Sequence, residues 1–110
     1  MELAEIRQEI DRIDDEMLRL FCRRMDCAGE VAAYKAAHGM PVLNPAREQQ
    51  VLDGVRQGAG DYGDAAAVVF STMMDVSRAL QHRRLAAGGA LRNALGGAQH
   101  ALFEAGQHPR

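Results

Sequence analysis

The sequence predicts an all-α protein with three helices, the first unusually long, that forms an intertwined homodimer. Ala, Leu, Arg and Glu dominate, only 3 of the 110 residues are Pro and 5% are aromatic, and this composition favours helix over strand. Apolar residues recur at spacings of three and four, which is the period of one helix face. The helix that the first such pattern predicts is also longer than the diameter of a compact domain of this size. This length indicates that a second chain covers part of the helix.

The first helix is predicted to run from Leu3 to the Gly39–Pro41 segment. Gly29 interrupts the pattern, but a single glycine destabilises a helix too little to end it. About 36 residues make a helix of about 54 Å, whereas a compact domain of this length has a diameter of roughly 35 Å. A second copy of the chain is the simplest cover for the overhanging apolar stripe, which comprises Leu3, Ile6, Ile10, Ile13, Met17 and Leu20.

The second helix is predicted from Pro45 to the glycine-rich loop at 58–60. Asn44 is a favourable N-cap residue, and Pro45 suits the first helical position. Glu48 follows within the first turn, where a carboxylate is favourable.

A third helix follows, which we expect Asp61 or Asp64 to cap. It is predicted to run to about Leu85, and Gly88-Gly89 is expected to end it. Residues 1–85 thus form one helical domain. For the C-terminal extension, residues 86–110, we expect either a flexible segment or one short helix around Leu91, Leu95 and Leu102.

Charge and residue spacing exclude several classes of function. The net charge of -2 argues against nucleic acid as the main partner, because nucleic-acid-binding domains usually carry a basic excess. The four His are scattered singly, so we expect no metal site and no cofactor. No apolar run is long enough to span a membrane. Cys22 and Cys27 point to different faces of one helix, and we expect reduced thiols and a cytoplasmic location.

Polar residues interrupt the apolar stripe of the first helix. Arg24 and Lys35 are eleven residues apart, almost three full turns, so both point to the same side. A long cation on an apolar stripe ordinarily extends past it to water, and for either residue alone that interpretation is preferred.

The other two helices also carry polar groups on their apolar faces. Glu48 shares a face with Leu52 and Val55, although a carboxylate in the first turn is also explained by the helix dipole. Ser77 and Gln81 lie one turn apart on the apolar side of the third helix. Such a pair alone is more often a hydrogen bond within the core than a ligand site.

Taken together, the five groups predict a pocket for a small polyoxygenated anion. Two cations, a carboxylate, a hydroxyl and an amide face one interior, and burial of charges without partners is costly. No residue among them is an obvious nucleophile or acid–base pair. The pattern therefore favours a reaction driven by substrate positioning and fixed electrostatics.

Four segments resemble the all-helical class of chorismate mutase: IRQEIDRIDDEMLRLFCRRM, VAAYK, REQQVL after NPA, and SRALQ. The resemblance covers residues 3 to about 83 and leaves out the tail from Leu85 onward. It implies an interlocked homodimer that rearranges chorismate to prephenate without a cofactor, the committed step toward phenylalanine and tyrosine.

The resemblance also implies roles for individual residues. Arg7 would reach from the partner chain to a substrate carboxylate. Arg24 would bind a carboxylate, and Ser77 would support a carboxylate. Lys35 and Gln81 would face the ether oxygen, where negative charge develops during the reaction.

Three residues around the start of the second helix complete the implied site. Glu48 would hold the ring hydroxyl, with Arg47 nearby. Asn44 departs from the Asp that bacterial relatives often have there. Asn44 caps a helix equally well but carries no charge, so we expect a difference in substrate affinity rather than loss of activity.

Two alternative functions compete with this interpretation. An isochorismate–pyruvate lyase has a similar fold and cationic pocket, but the Arg47-Glu48 pair and the Ser77 hydroxyl look more like a mutase. A non-catalytic helical dimerisation or regulatory module is the other alternative. An interface that served only for dimerisation would have Leu or Ile where these polar residues interrupt the apolar helix faces. The polar residues therefore argue against the non-catalytic alternative.

Overall fold

A computed structural model describes the backbone of residues 1–94 and the side chains of residues 1–87. Three helices follow in order: α1 (Leu3–Ala37), α2 (Pro45–Gly58) and α3 (Gly63–Ala94), with a single 3₁₀ turn at Gly60–Tyr62 before α3. No strand occurs in this part of the chain. The prediction of an all-α, three-helix chain with a long first helix is confirmed.

The ends of α1 are set by local hydrogen bonds. At the N-terminus, Glu2 and Glu5 form a reciprocal capping box, in which Glu5 Oε1 accepts from the Glu2 N–H at 2.8 Å. At the C-terminus, Gly39 adopts a positive φ of 65°, which glycine tolerates best. The Met40 N–H donates back to the Lys35 carbonyl at 2.8 Å, as in a Schellman motif. The helix thus ends where the sequence predicted.

The start of α2 also follows the prediction. Asn44 Oδ1 accepts a hydrogen bond of 3.1 Å from the Arg47 N–H, and Pro45 occupies the first helical position. The cap satisfies one of the N–H groups that has no partner within the helix.

Both predicted ends of α3 are wrong. Neither aspartate caps the helix: Asp61 lies in the 3₁₀ turn and Asp64 lies inside the first turn of α3. Gly88-Gly89 does not end the helix, which continues to Ala94. Each glycine destabilises a helix by only about 1 kcal/mol relative to Ala, too little to stop it here. Residues 95–110, which include the predicted helical positions Leu95 and Leu102, lie outside the described part of the chain.

The buried core occupies only one end of α1. α3 packs against both α1 and α2, and all buried residues of α1 fall between Met25 and Ala32. In contrast, the six residues of the predicted overhanging stripe are 40–58% exposed, with Ile6 lowest and Leu3 highest.

Among the described residues, no helix combines the length and the apolar character that a membrane span requires.

Candidate active site

A cavity of about 280 Å³ opens where α1, α2 and α3 meet. Its walls come from the C-terminal half of α1, the loop before α2, the first turns of α2 and the middle of α3. Seven of the eight site residues predicted from the sequence line it: Arg24, Lys35, Asn44, Arg47, Glu48, Ser77 and Gln81. The helices therefore bring together groups that lie as far as 57 residues apart in the chain (81 − 24).

The α1 wall carries the two predicted cations. Arg24 and Lys35 are both half-buried and line the same wall, as their spacing predicted. Cys27 and Val31 lie on the wall between them. Lys35 Nζ donates a hydrogen bond of 2.7 Å to the carbonyl oxygen of Val42. This contact keeps the Lys35 ammonium beside the cavity.

The α2 wall contributes three polar residues with different surroundings. Asn44 uses its side-chain oxygen to cap the helix, which leaves its amide NH₂ as the group available to a ligand. Arg47 is exposed, and its Nη1 donates to Gln50 Oε1 at 2.7 Å. Glu48 is half-buried, one turn into the helix, where the dipole favours its charge.

The α3 wall is the most buried part of the site. Ser77 and Gln81 are each only 7% exposed, and Gln81 Nε2 donates to Ser77 Oγ at 3.2 Å. Gln81 Oε1 is buried without a hydrogen-bond partner among the described residues. An unsatisfied buried polar atom is costly, so this amide has unused hydrogen-bonding capacity beside the cavity.

Arg78 also lines the cavity, although it was not among the residues predicted from the sequence. Its guanidinium donates to Glu48 across the gap between α3 and α2 and to Asp75 on its own helix. The hydrogen bond to Glu48 raises the pKa of Arg78 more than burial lowers it. The i, i+3 spacing of Asp75 and Arg78 was the only signal in the sequence, and it does not indicate a site.

The walls of the cavity are strongly cationic. Four of the lining residues are Arg or Lys, and Glu48 is the only acidic one. Because Glu48 is paired with Arg78, the remaining positive charge favours an anionic ligand.

Comparison with known proteins is consistent with this geometry. The family model of chorismate mutase type II matches residues 6–82. The chain belongs to the chorismate mutase type II family. The matched segment includes every residue predicted for the site, and the resemblance inferred from the sequence is confirmed.

The relatives include mutases and a longer protein. A chorismate mutase of Methanocaldococcus jannaschii is 33% identical over 86 residues, which cover 76% of this chain and 87% of the relative. A 4-amino-4-deoxychorismate mutase of Streptomyces venezuelae is 37% identical over 62 residues, covering 56% and 60%. A T-protein of Haemophilus influenzae is 34% identical over 67 residues, covering 61% of this chain but 18% of the T-protein. No solved structure matches the chain.

Arg7 is the one predicted site residue of this family member that does not line the cavity of the single chain. It is exposed, on the N-terminal half of α1, 17 residues before Arg24. That spacing corresponds to about 25 Å along the helix axis, so one small ligand cannot contact both arginines of the same chain.

Within the described residues there is also no cluster of His, Cys, Asp or Glu suited to a metal ion.

Proposed function

We propose that this protein rearranges chorismate to prephenate as a cofactor-free enzyme, with the substrate bound in the cavity between the three helices. The observation that supports this most is the group of Arg24, Lys35 and Gln81 around one cavity. Two cations suit a dianionic substrate, and a buried neutral amide suits an oxygen on which charge only partly develops.

The reaction needs no nucleophile or acid–base pair. In this Claisen rearrangement the ether C–O bond breaks while a new C–C bond forms, and negative charge develops on the ether oxygen. A site that holds the substrate in a reactive conformation removes much of the entropic barrier. Hydrogen-bond donors directed at the ether oxygen lower the rest of the activation barrier by stabilising the charge that develops there. Lys35 and Gln81 are the proposed donors.

The Ser77–Gln81 pair can supply such a donor. Rotation of the Gln81 amide by half a turn places Oε1 toward Ser77, whose hydroxyl then donates to it. This orientation satisfies the buried oxygen that lacks a partner. It also frees Nε2 to donate to a ligand in the cavity that Gln81 lines.

We infer that the active unit is an intertwined homodimer in which Arg7 of one chain reaches the site of the other. The overhanging stripe of α1 is 40–58% exposed in the single chain, and an isolated helix face of this kind is normally covered. The described part of the chain extends 62 Å along its longest axis, and the buried residues of α1 lie only between Met25 and Ala32, so the N-terminal half of α1 projects beyond its own core.

The two described cysteines, Cys22 and Cys27, are free. Free thiols are typical of a reducing compartment, which supports a cytoplasmic location.

Two other substrates define the alternatives. The Streptomyces relative is named for 4-amino-4-deoxychorismate, in which an amine replaces the ring hydroxyl of chorismate. A lyase would instead release salicylate and pyruvate from isochorismate. Neither is favoured over chorismate, because the Methanocaldococcus jannaschii chorismate mutase is matched over 87% of its own length, against 60% for the Streptomyces venezuelae relative.

The test is product analysis with the purified protein and a chelator present. Chorismate should be consumed and prephenate should appear by chromatography or NMR. Gln81→Ala should lower kcat by about 10²–10³, the usual effect of losing one such donor. The matched control is Gln49→Ala, because Gln49 is exposed on α2 and lies outside the cavity. This variant should retain wild-type activity. Absence of prephenate from a folded sample would refute the proposed function.

A further inference from the structure

Arg78 joins two walls of the cavity. Its Nη1 donates to Glu48 Oε2 on α2, and its Nη2 donates to Asp75 Oδ1 one turn earlier on α3. The side chains of Arg78 and Glu48 are 26% and 25% exposed, whereas Asp75 is 65% exposed. Asp75 therefore orients the guanidinium from the solvent side while Arg78 holds Glu48 at the cavity wall.

This contact balances the charge of Glu48. The hydrogen bond to Glu48 raises the pKa of Arg78, so the guanidinium stays protonated at any pH the protein tolerates. The bond occupies Oε2, and no described residue donates to Oε1 in a side-chain or backbone contact. One carboxylate oxygen is thus left to accept a hydrogen bond from a ligand, but its negative charge is already neutralised.

The free Glu48 oxygen distinguishes a neutral ligand group from a positively charged one, because Arg78 already balances the charge of the carboxylate. A neutral hydroxyl can donate to it without an electrostatic penalty. A protonated amine would bring a positive charge close to Arg78, in a cavity whose other charged wall residues are Arg24, Lys35 and Arg47. Like charges brought together in a partly desolvated site repel strongly.

We propose that Arg78 is a positioning residue that makes this site select a hydroxyl over a protonated amine opposite Glu48. This inference rests on the proposed function, and it predicts that chorismate is strongly preferred over 4-amino-4-deoxychorismate. Glu48 contacts the substrate, and Arg78 acts through Glu48.

The experiment measures kcat/KM for both compounds with the full chain. Arg78→Met removes the charge but keeps an unbranched side chain, and Arg78→Lys keeps the charge. We expect Arg78→Met to lower kcat/KM for chorismate by about tenfold, because Glu48 is less well held. The ratio of the two kcat/KM values should shift at least about tenfold toward the amine. Arg78→Lys should keep the ratio near that of the wild type.

Arg84→Met is the matched control, because Arg84 lies on the same helix but outside the cavity. It should leave the ratio unchanged. The inference is overturned if Arg78→Met lowers both kcat/KM values equally, as a purely structural role would, or if the wild type prefers the amine.

A second measurement uses the wild type alone and does not depend on how the variants fold. Between pH 6 and 9, the kcat/KM for the amine relative to chorismate should rise as the amine loses its proton. Any effect of pH on the protein that acts on both substrates equally cancels in the ratio. A ratio independent of pH would contradict the inference, whereas failure of chorismate to react at all would refute the proposed function instead.

Discussion

The ammonium of Lys35 in the last turn of α1 donates a 2.7 Å hydrogen bond to the backbone carbonyl of Val42. Val42 is buried and lies in the loop that leads to the Asn44 cap of α2. One side chain therefore connects the end of the first helix to the start of the second and also lines the candidate site. Because these two roles differ, they can be separated experimentally.

We expect Lys35→Met to lower the free energy of unfolding by about 1.5 kcal/mol, since it removes a part-buried hydrogen bond with a charged donor. It should also lower kcat/KM at least about tenfold, because a cation beside the ether oxygen is lost. Urea denaturation at a fixed protein concentration and the prephenate assay measure the two effects. Lys35→Arg keeps the charge and should recover most of the stability. Equal stability of the Met variant and the wild type would show that the Val42 contact contributes nothing.

Gln81→Glu should make activity acid-dependent. A carboxyl group can donate a hydrogen bond to the ether oxygen only when it is protonated. Activity should therefore be present at low pH and be lost as the pH rises through the pKa of the introduced carboxyl, which burial raises above the usual value. A pH–rate profile of kcat for the variant beside the wild type measures this. A variant that keeps full activity well above neutral pH would remove Gln81 from its proposed role.

Two helical glycines should respond in opposite ways to substitution by alanine. A Cβ at Gly63 would lie 2.7 Å from the backbone oxygen of Arg56, whereas one at Gly29 would meet the guanidinium end of Arg84 at 2.7 Å. The flexible Arg84 side chain can move, but the backbone of α2 cannot do so without disturbing its packing on α3.

Gly63→Ala should therefore destabilise the protein by about 1–3 kcal/mol, the usual effect of overpacking. Gly29→Ala should be neutral or stabilise it by up to about 1 kcal/mol through helix propensity. Chemical denaturation of both variants at the same concentration tests the contrast. Similar destabilisation by both would mean that Arg84 cannot move away from Gly29.

Arg7→Ala and Arg24→Ala should each be nearly inactive, and together they test the shared site. In a heterodimer of the two variants, one site collects both lesions while the other receives both arginines intact. Refolding an equal mixture puts about half the molecules into heterodimers, so about a quarter of the wild-type activity should return.

Native mass spectrometry, with a tag that changes the mass of one variant, should show whether heterodimers have formed. A mixture that contains heterodimer and stays inactive would refute the shared site. High activity of the Arg7→Ala homodimer would show that Arg7 takes no part in the reaction.

Much of the fold and site follows from local sequence signals. The Asn44-Pro45 cap, the end of α1 near Gly39 and the stripe positions of Arg24 and Lys35 were all predicted. Each depends only on helix period or on residues within one turn, and these interactions form whenever the helix forms. The same locality explains why Ser77 and Gln81 were found together, since their spacing of one turn is independent of the rest of the chain.

What only the tertiary structure decided is which residues meet across helices. The pair of Arg78 and Glu48 joins positions 30 residues apart, and the approach of Arg56 to Gly63 depends on how α2 packs against α3. Continuation of α3 past Gly88-Gly89 to Ala94 was likewise missed. Helix period determines which face a side chain occupies, but the distance and angle between helices determine its partner. Those quantities result from packing of the whole chain, and no local pattern encodes them.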